Sequence, residues 1–479
     1  MSEQIFEAVI GLEVHAELKT KTKIFCACST DFGAPPNTQC CPICMGYPGV
    51  MPSLNRHAVE QAIRAGLALG CEIQRVSRTD RKQYFYPDLP KAYQISQDEY
   101  PLCRNGRLTF SVANGERSVG IRRIHIEEDA GKLIHRDGMT LLDCNRCGVG
   151  LIEIVSEPEL HTAQEASAYL RALRAILLTV GASDCRMQEG SLRCDVNISL
   201  HDPSSQRLGI RTEIKNLNSF AFVEKAIDYE IRRQSALLQS GQPLVSETRR
   251  FDPASGKTVL MRIKERAVDY RFLPEPDLLP IVVGAEELEE LRATLPELPA
   301  PRAARLVREL SLTPYDASVL VSDPRLADFF EQGAARTAYP KLLVNLLLTD
   351  LLRDCTSDPF SSPVCAEQLA ELADLLGEGT VNSSTAKKLL KQCRQESIEL
   401  RAVVEREGLA QIRDSAALQT VIGEVLSTNP HAVNDYRNGK TAAIRALQGQ
   451  AMARTEGRAD PVLLERLLLE ALSQEPKGD

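Results

Sequence analysis

The stretch from Gly11 to Leu18 alternates without interruption, with Leu12, Val14, Ala16 and Leu18 on one side and Glu13, His15 and Glu17 on the other. That pattern predicts a strand packed on one face. Leu192 to Leu200 repeats it, opposing Leu192, Cys194, Val196 and Ile198 to Arg193, Asp195, Asn197 and Ser199. In Gly209 to Lys215, the side chains of Arg211, Glu213 and Lys215 share a side. A fourth strand, Ile121 to Lys132, ends in adjacent acids. Strict alternation groups Glu127 with His125 and sets Glu128 with Ile124 and Ile126, while a bend near Gly131 would redirect either carboxylate.

Helical spacing predicts helices over Asn55 to Gly70, Thr162 to Gly181 and Asn218 to Gly241, each opening at a capping residue and closing at glycine. Thr162 and Glu165 form a capping box. From Glu286 onward Leu and Ala recur at helical spacing almost throughout, with helices expected around Pro340 to Arg353, Thr385 to Gln395, Ala416 to Leu426 and Pro461 to Leu472. The change of pattern sets a domain boundary near Pro296, inside a proline-rich stretch, Leu295 to Pro301, that reads as a stiff extended connector. A second boundary falls near Gly408, after a charged helix carrying Arg401 and Glu405. The expected architecture is α+β: an antiparallel-sheet domain over 1–295, an all-α domain over 296–407 and a small α-helical tail over 408–479.

Composition narrows the partners. A net charge of -8 and a pI near 5.6 speak against a chain that holds nucleic acid mainly by bulk Coulomb attraction, so any RNA contact must be local and shape-based. Met1 to Gly11 lacks a basic segment followed by an apolar one, and the longest aliphatic run, Leu342 to Leu348, is too short to span a bilayer. A cytoplasmic protein is expected, with its 14 cysteines reduced or metal-bound.

Three strands that aim Glu, His, Asp, Asn and Arg at one side change the picture further, because single half-solvated strands are ordinary but three such faces are not. Carboxylates with an imidazole suit Mg2+, and Arg and Lys beside them suit a triphosphate, which together describe a nucleotide site without a P-loop. Gly256-Lys257-Thr258 resembles the end of a P-loop, but Phe251 stands where its first glycine would be, and it is rejected. Cys26-Ala-Cys28 and Cys41-Pro-Ile-Cys44, separated by 12 residues, offer four thiolates at the spacing of a structural Zn2+ site, with Cys40 a competitor for Cys41. Cys144-Asn-Arg-Cys147 has no matching second pair close by and reads as structural. No serine and lysine arrangement suited to glutamine hydrolysis is present, and Tyr84, Tyr86 and Tyr93 read as packing groups.

Six stretches, in order, carry a family resemblance: Val9 to His15, Asp80 to Gln97, His125 to Lys132, Leu151 to Pro158, Glu189 to Ser199 and Lys215 to Ser219. Together they resemble the B subunits of the aspartyl/glutamyl-tRNA amidotransferases, and past Gly408 the stretches Asn438 to Lys440 and Gly449 to Asp460 resemble that family's tail. The sequence departs from the family pattern at Cys147 and Gly150, which touches only the loop before Leu151. The resemblance implies a cradle domain of glutamine-synthetase-like fold, a helical domain, and a tail contacting the outer corner of tRNA. It implies ATP and Mg2+ on one face of the cradle sheet, with Glu13, His15, Glu128 and Glu213 as catalytic metal ligands and Glu127 beside them. It also implies an amidase A subunit and a small C subunit as partners in a heterotrimer, acting on tRNA(Gln) or tRNA(Asn) mischarged with Glu or Asp. Arg81, Lys82, Lys91, Arg193 and Lys215 are then candidate phosphate or substrate contacts, and Asn197, Asn216 and Asn218 candidates for fixing substrate or metal waters.

Overall fold

The structure, a computed structural model, describes residues 6–204, 207–264, 270–353, 363–396 and 398–473. The first five residues of the expected sheet domain and the last six of the expected tail lie outside them. Nine strands form one sheet: β1 (Glu7–Glu17), β2 (Glu72–Ile73), β3 (Cys103–Val112), β4 (Gly115–Glu128), β5 (Gly150–Ser156), β6 (Leu192–His201), β7 (Thr212–Leu217), β8 (Glu247–Asp252) and β9 (Lys257–Ile263). Their order is β9-β8-β7-β6-β1-β5-β4-β3-β2. Neighbours run antiparallel except β7 and β8, which are parallel because the helix between them carries the chain back across the sheet.

Three helices fill one face of that sheet: α1 (Arg56–Ala68), α2 (Ala163–Thr179) and α3 (Phe220–Gln239). The apolar side of each strand meets them in one core that joins Leu12 and Val14 of β1, Ile124 of β4, Ile152 of β5 and Val196 of β6 to Ile63, Leu170 and Val223 of the helices. Each such buried aliphatic contributes roughly 1.5–3 kcal/mol, so the period-two pattern fixes which face is left for chemistry. The glycines at the helix ends are left-handed as required, Gly70 at φ 65°, Gly181 at 72° and Gly241 at 73°.

Local details differ from the sequence reading for physical reasons. Thr162 caps α2 by accepting from Glu165 N at 3.0 Å, but the Glu165 carboxylate returns to His161 N at 2.8 Å rather than to Thr162, so the box is displaced by one residue. α3 is capped by Ser219, not Asn218. β7 begins at Thr212, so Arg211 stands outside the strand that carries Glu213 and Lys215. The proline-rich stretch is extended only as far as Leu298, because Pro299 opens a helix, Pro299–Leu310, where its missing N–H costs nothing. The helix expected to reach Arg353 is α-helical over Pro340–Asn345 and continues as a π turn over Leu346–Leu351.

The chain divides into two compact units, Met1–Arg302 with Val321–Pro324, and Ala303–Leu320 with Arg325–Asp479. The second unit is helical and holds a separate core that includes Leu418, Ile422, Leu447, Leu464 and Leu468. Among the described residues no helix is long and apolar enough to cross a membrane.

Candidate active site

β1 lies between β5 and β6, and its register sets functional groups side by side. His15 is paired with Glu153 on β5 and Arg193 on β6, while Glu13 is paired with Asp195. Beyond these, Glu153 is paired with His125 on β4 and Asn197 with Glu213 on β7. All stand on the face away from the helices, because their neighbours Val14, Ile154 and Val196 occupy the core.

Two donor groups result. In one, His15, Glu127 and Glu153 bring ligand atoms within 4.8 Å of one another; in the other, Glu13, Asp195 and Glu213 do the same. His15 Nε2 lies 3.3 Å from Glu153 and 4.0 Å from Glu127, and His125 Nε2 lies 3.2 Å from Glu127 and 3.4 Å from Glu153. Burial opposes the charged form of both imidazoles, yet the Glu153 and Glu127 carboxylates outweigh it, raising His15 and taking His125 to about 9. Burial likewise works to raise Glu127, while the Lys82 ammonium 3.7 Å away and the His125 hydrogen bond hold it at about 2. In the second group, Lys215 bridges Asp195 at 2.7 Å and Glu213 at 3.1 Å, and Lys264 meets Glu213 at 2.6 Å. Against the burial that would raise it, those lysines and the Thr248 hydroxyl hold Glu213 at about 2.

Glu13 is the exception. Among the described residues it has no cationic partner, only the Asn197 amide at 2.9 Å, and burial followed by the Glu153 and Asp195 charges raises its carboxyl. A carboxylate left to face its own kind suits a position where a cation is meant to sit. Oxygen donors, joined by an imidazole in one of the two groups, fit a hard divalent ion such as Mg2+.

The cysteine cluster is assembled on the loop after β1, where Cys26, Cys28, Cys41 and Cys44 place their sulfurs within 4.8 Å of one another. Cys40 points instead to Asn145 Oδ1 at 3.9 Å. A hydrogen bond from Cys26, set against burial and assisted by Lys23, lowers the Cys44 thiol to about 4. Lys23 is fully buried with its ammonium 3.6 Å from Cys44 Sγ and 3.3 Å from the Cys144 carbonyl. Four sulfurs with a buried cation beside them fit a closed thiolate centre holding a structural metal such as Zn2+. Cys144 and Cys147 are buried and stand outside that group, as their reading as structural residues implies. Gly256, Lys257 and Thr258 form the turn and first residues of the β8–β9 hairpin, not a phosphate loop.

Comparison with known proteins adds an independent line. Residues 8–289 match the GatB/GatE catalytic domain and residues 328–472 match the GatB domain. The aspartyl/glutamyl-tRNA(Asn/Gln) amidotransferase B subunit of Carboxydothermus hydrogenoformans is 47% identical over 477 residues, covering 98% of this chain and 99% of that protein. Its counterpart in Caldanaerobacter subterraneus is 49% identical over 474 residues, 98% of this chain and 100% of the relative. The chain belongs to this family of glutamine-dependent tRNA amidotransferase B subunits.

Within this family member the remaining expected site residues separate. Lys82, Arg193 and Lys215 line a cavity of about 430 Å3 with His15, Glu127 and Asp195. Arg193 is held there by Asp129 at 2.7 Å, and the Asp129 charge, after burial, also raises Glu17 to about 8. Glu128 is not in either donor group: its carboxylate accepts from Ile95 N at 2.8 Å and pairs with Lys91 at 2.5 Å, lining a different cavity beside Cys26 and Cys44. Alternation therefore describes this strand end better than the resemblance did, and Lys91 goes with Glu128. Arg81 is also drawn away, forked onto Glu275 at 2.7 and 2.9 Å and lying 4.4 Å above the Tyr93 ring. Tyr84 and Tyr86, expected to pack, are surface groups at 39% and 49% exposure. Sequence reasoning passed over Glu153, because Leu151 to Val155 is apolar on both sides of it and shows no alternation, and named Asp195 and His125 without promoting either to the ligand set.

Proposed function

We propose that the chain activates the side-chain carboxylate of tRNA-linked Glu or Asp by phosphorylation from ATP, so that ammonia from a partner amidase converts it to the amide. A carboxylate is a poor electrophile because its leaving group would be oxide; an acyl phosphate gives ammonia a leaving group. Both reactants are anionic, so positioning and charge neutralisation dominate. Bound at Glu13, Asp195 and Glu213 and at His15, Glu127 and Glu153, divalent cations would supply that neutralisation.

The chain's own residues do the rest. Lys215 and Lys82 neutralise carboxylates of the two groups, and from the same cavity their ammonium groups are placed to take phosphate oxygens once those carboxylates are otherwise engaged. Arg193, oriented by Asp129, offers its remaining donors to the same space. His15 must release its proton to donate a lone pair, and the Glu153 carboxylate beside it is the group that stabilises that proton on the ring. The observation that carries the reading is the adjacency of two acidic donor groups on one sheet face, with lysines at both. In the same reading the sheet unit is a glutamine-synthetase-like cradle, residues 408–479 form a tRNA-binding tail, and the A and C subunits complete a heterotrimer. The zinc cluster has no part in the chemistry, because four sulfurs leave no open position.

The test is Glu213→Gln in the reconstituted complex. ATP-dependent acyl-phosphate formation on mischarged tRNA should be lost while assembly and glutamine hydrolysis persist; phosphorylation at the wild-type rate would remove Glu213 from the site.

A further inference from the structure

The turn Cys144-Asn-Arg-Cys147, which reads as structural in the sequence and lies where the chain departs from the family pattern at Cys147, has no part in the chemistry above. Its geometry brings two thiols together. The Cys147 backbone N–H donates to the Cys144 carbonyl at 3.0 Å, closing a turn that holds the two Cα atoms within about 7 Å, the span a disulfide bridges. The side chains follow, because the Cys147 thiol is shared between the Cys144 sulfur and the Asp88 carbonyl, 3.6 Å away.

The two sulfurs have different surroundings. Cys144 borders a cavity of about 430 Å3 that Cys40, Cys41, Met45 and Leu142 also line, which gives a small oxidant a way in. Cys147 is packed instead on Gly131, so closely that a β-carbon there would stand 3.0 Å from its sulfur. Burial raises both thiols, but the hydrogen bond between them works against this at Cys144 and adds to it at Cys147. Cys144 is thus placed as the nucleophile and Cys147 as its resolving partner.

Arg146, between them, reaches toward the site. Its guanidinium donates to the Ala130 carbonyl at 2.9 Å and the Gly131 carbonyl at 3.2 Å and lies 3.5 Å from Asp129, which in turn holds Arg193. The same segment is tied down where the Gly131 N–H donates to the Asp88 carbonyl at 2.7 Å. A bond between the cysteines draws the Cys147 sulfur off Gly131 and takes its donor from that carbonyl, so the support beneath Arg193 loosens.

We propose that Cys144 and Cys147 form a thiol–disulfide switch, closed by a hydroperoxide that enters the cavity, and that the disulfide slows the enzyme by displacing Arg146 and, through Asp129, Arg193. The Cys144 sulfur attacks one peroxide oxygen and the O–O bond breaks; the departing hydroxide takes the Cys144 proton and leaves as water, giving a sulfenic acid. The Cys147 sulfur then attacks the Cys144 sulfur, the S–S bond forms, the S–O bond breaks, and a second water carries away the Cys147 proton. The two thiols lose two electrons to the peroxide, and a dithiol reductant returns them. The effect on rate rests on the reading of Arg193 as a group that serves the site; formation of the bond does not.

The test is dilute hydrogen peroxide on the reconstituted, metal-loaded complex. Mass spectrometry should find Cys144 joined to Cys147 with the metal content unchanged. Amidation of mischarged tRNA should fall by about tenfold or more, the cost of a small displacement in a positioned group, and dithiothreitol should restore it. Cys144→Ser should match wild type when reduced and keep its rate after peroxide. Two free thiols after treatment, Cys144 joined to Cys40, metal lost in place of the bond, or an equal loss of rate in Cys144→Ser would each overturn the switch. So would a bond without change of rate in an enzyme that Arg193→Met impairs. If Arg193→Met itself matches wild type, the reading of the site falls, and the switch's action on rate with it.

Discussion

Glu13 and Asp195 face each other directly across β1 and β6, two carboxylates in register on the open side of the sheet. Like charges placed so cost about 0.2–1 kcal/mol, and Lys215 relieves only Asp195. Glu13→Gln should therefore raise the stability of the metal-free chain by up to about 1 kcal/mol at neutral pH. Because the Glu13 carboxyl is raised, its destabilising charge appears only as pH climbs through that value, so the gain should vanish in acid. Urea unfolding without divalent ions, at neutral pH and near pH 4, measures it; a variant less stable than wild type at neutral pH would contradict the assignment.

Glu153 sits between two imidazoles, His15 at 3.3 Å and His125 at 3.4 Å. Glu153→Gln should lower divalent-cation affinity by roughly 10–100-fold while leaving the fold intact. Magnesium titration of ATP consumption, or of a fluorescent nucleotide, gives the comparison, and an unchanged titration would take Glu153 out of the ligand set.

For the cysteine cluster, elemental analysis should find about one zinc per chain, lost in Cys41→Ser and retained in Cys40→Ser. The two-residue gap to Cys44 favours Cys41 over its neighbour in the sequence, and in the structure Cys41 joins the four-sulfur group while Cys40 contacts Asn145. Equal zinc content in both variants would show the division to be wrong.

A buried ionic network away from the site gives a prediction about acid stability. Glu230 is fully buried and accepts from Arg233 at 2.8 Å, from Gln234 at 3.0 Å and from the Thr258 hydroxyl, with Arg249 at 3.2 Å. Burial works to raise its carboxyl, and these donors outweigh it and lower it. Its stabilisation is therefore complete above the unfolded value of about 4.3 and is lost as pH falls through the lower folded value. Glu230→Ala, which leaves Arg233 and Arg249 with Glu247 as their remaining carboxylate and strands the buried donors that faced Glu230, should cost about 3 kcal/mol at neutral pH, with a smaller difference in acid. Parallel unfolding curves at all pH values would refute it.

Deleting 408–479 should weaken tRNA binding without disturbing the donor groups, because that segment has its own core and the groups lie wholly within residues 13–213. Filter binding of tRNA and magnesium titration of the truncated chain check the two halves separately.

Much of this was legible in the chain because period-two alternation states which side of a strand is buried. Glu13, His15, Asp195 and Glu213 could be assigned to open faces before any coordinates, and the helix ends followed from Asn55, Thr162 and the glycines. Alternation within a strand does not say which strands are neighbours. That is why the division into two groups, the pairing of His15 with Glu153, and the capture of Arg81 by Glu275 appear only in three dimensions. The same limit explains Tyr84 and Tyr86, since aromatic side chains look alike in sequence whether they fill a core or border an opening.

The central position of β1 bears on how the protein is made. Its partners β5 and β6 begin at Gly150 and Leu192, so β1 leaves the ribosome well before either neighbour exists to pair with it. Until then the nascent chain holds an unpaired apolar ribbon, and long-range pairing of this kind is slow. Synthesis thus imposes a waiting period during which β1 has no finished sheet to shield it from joining a stranger.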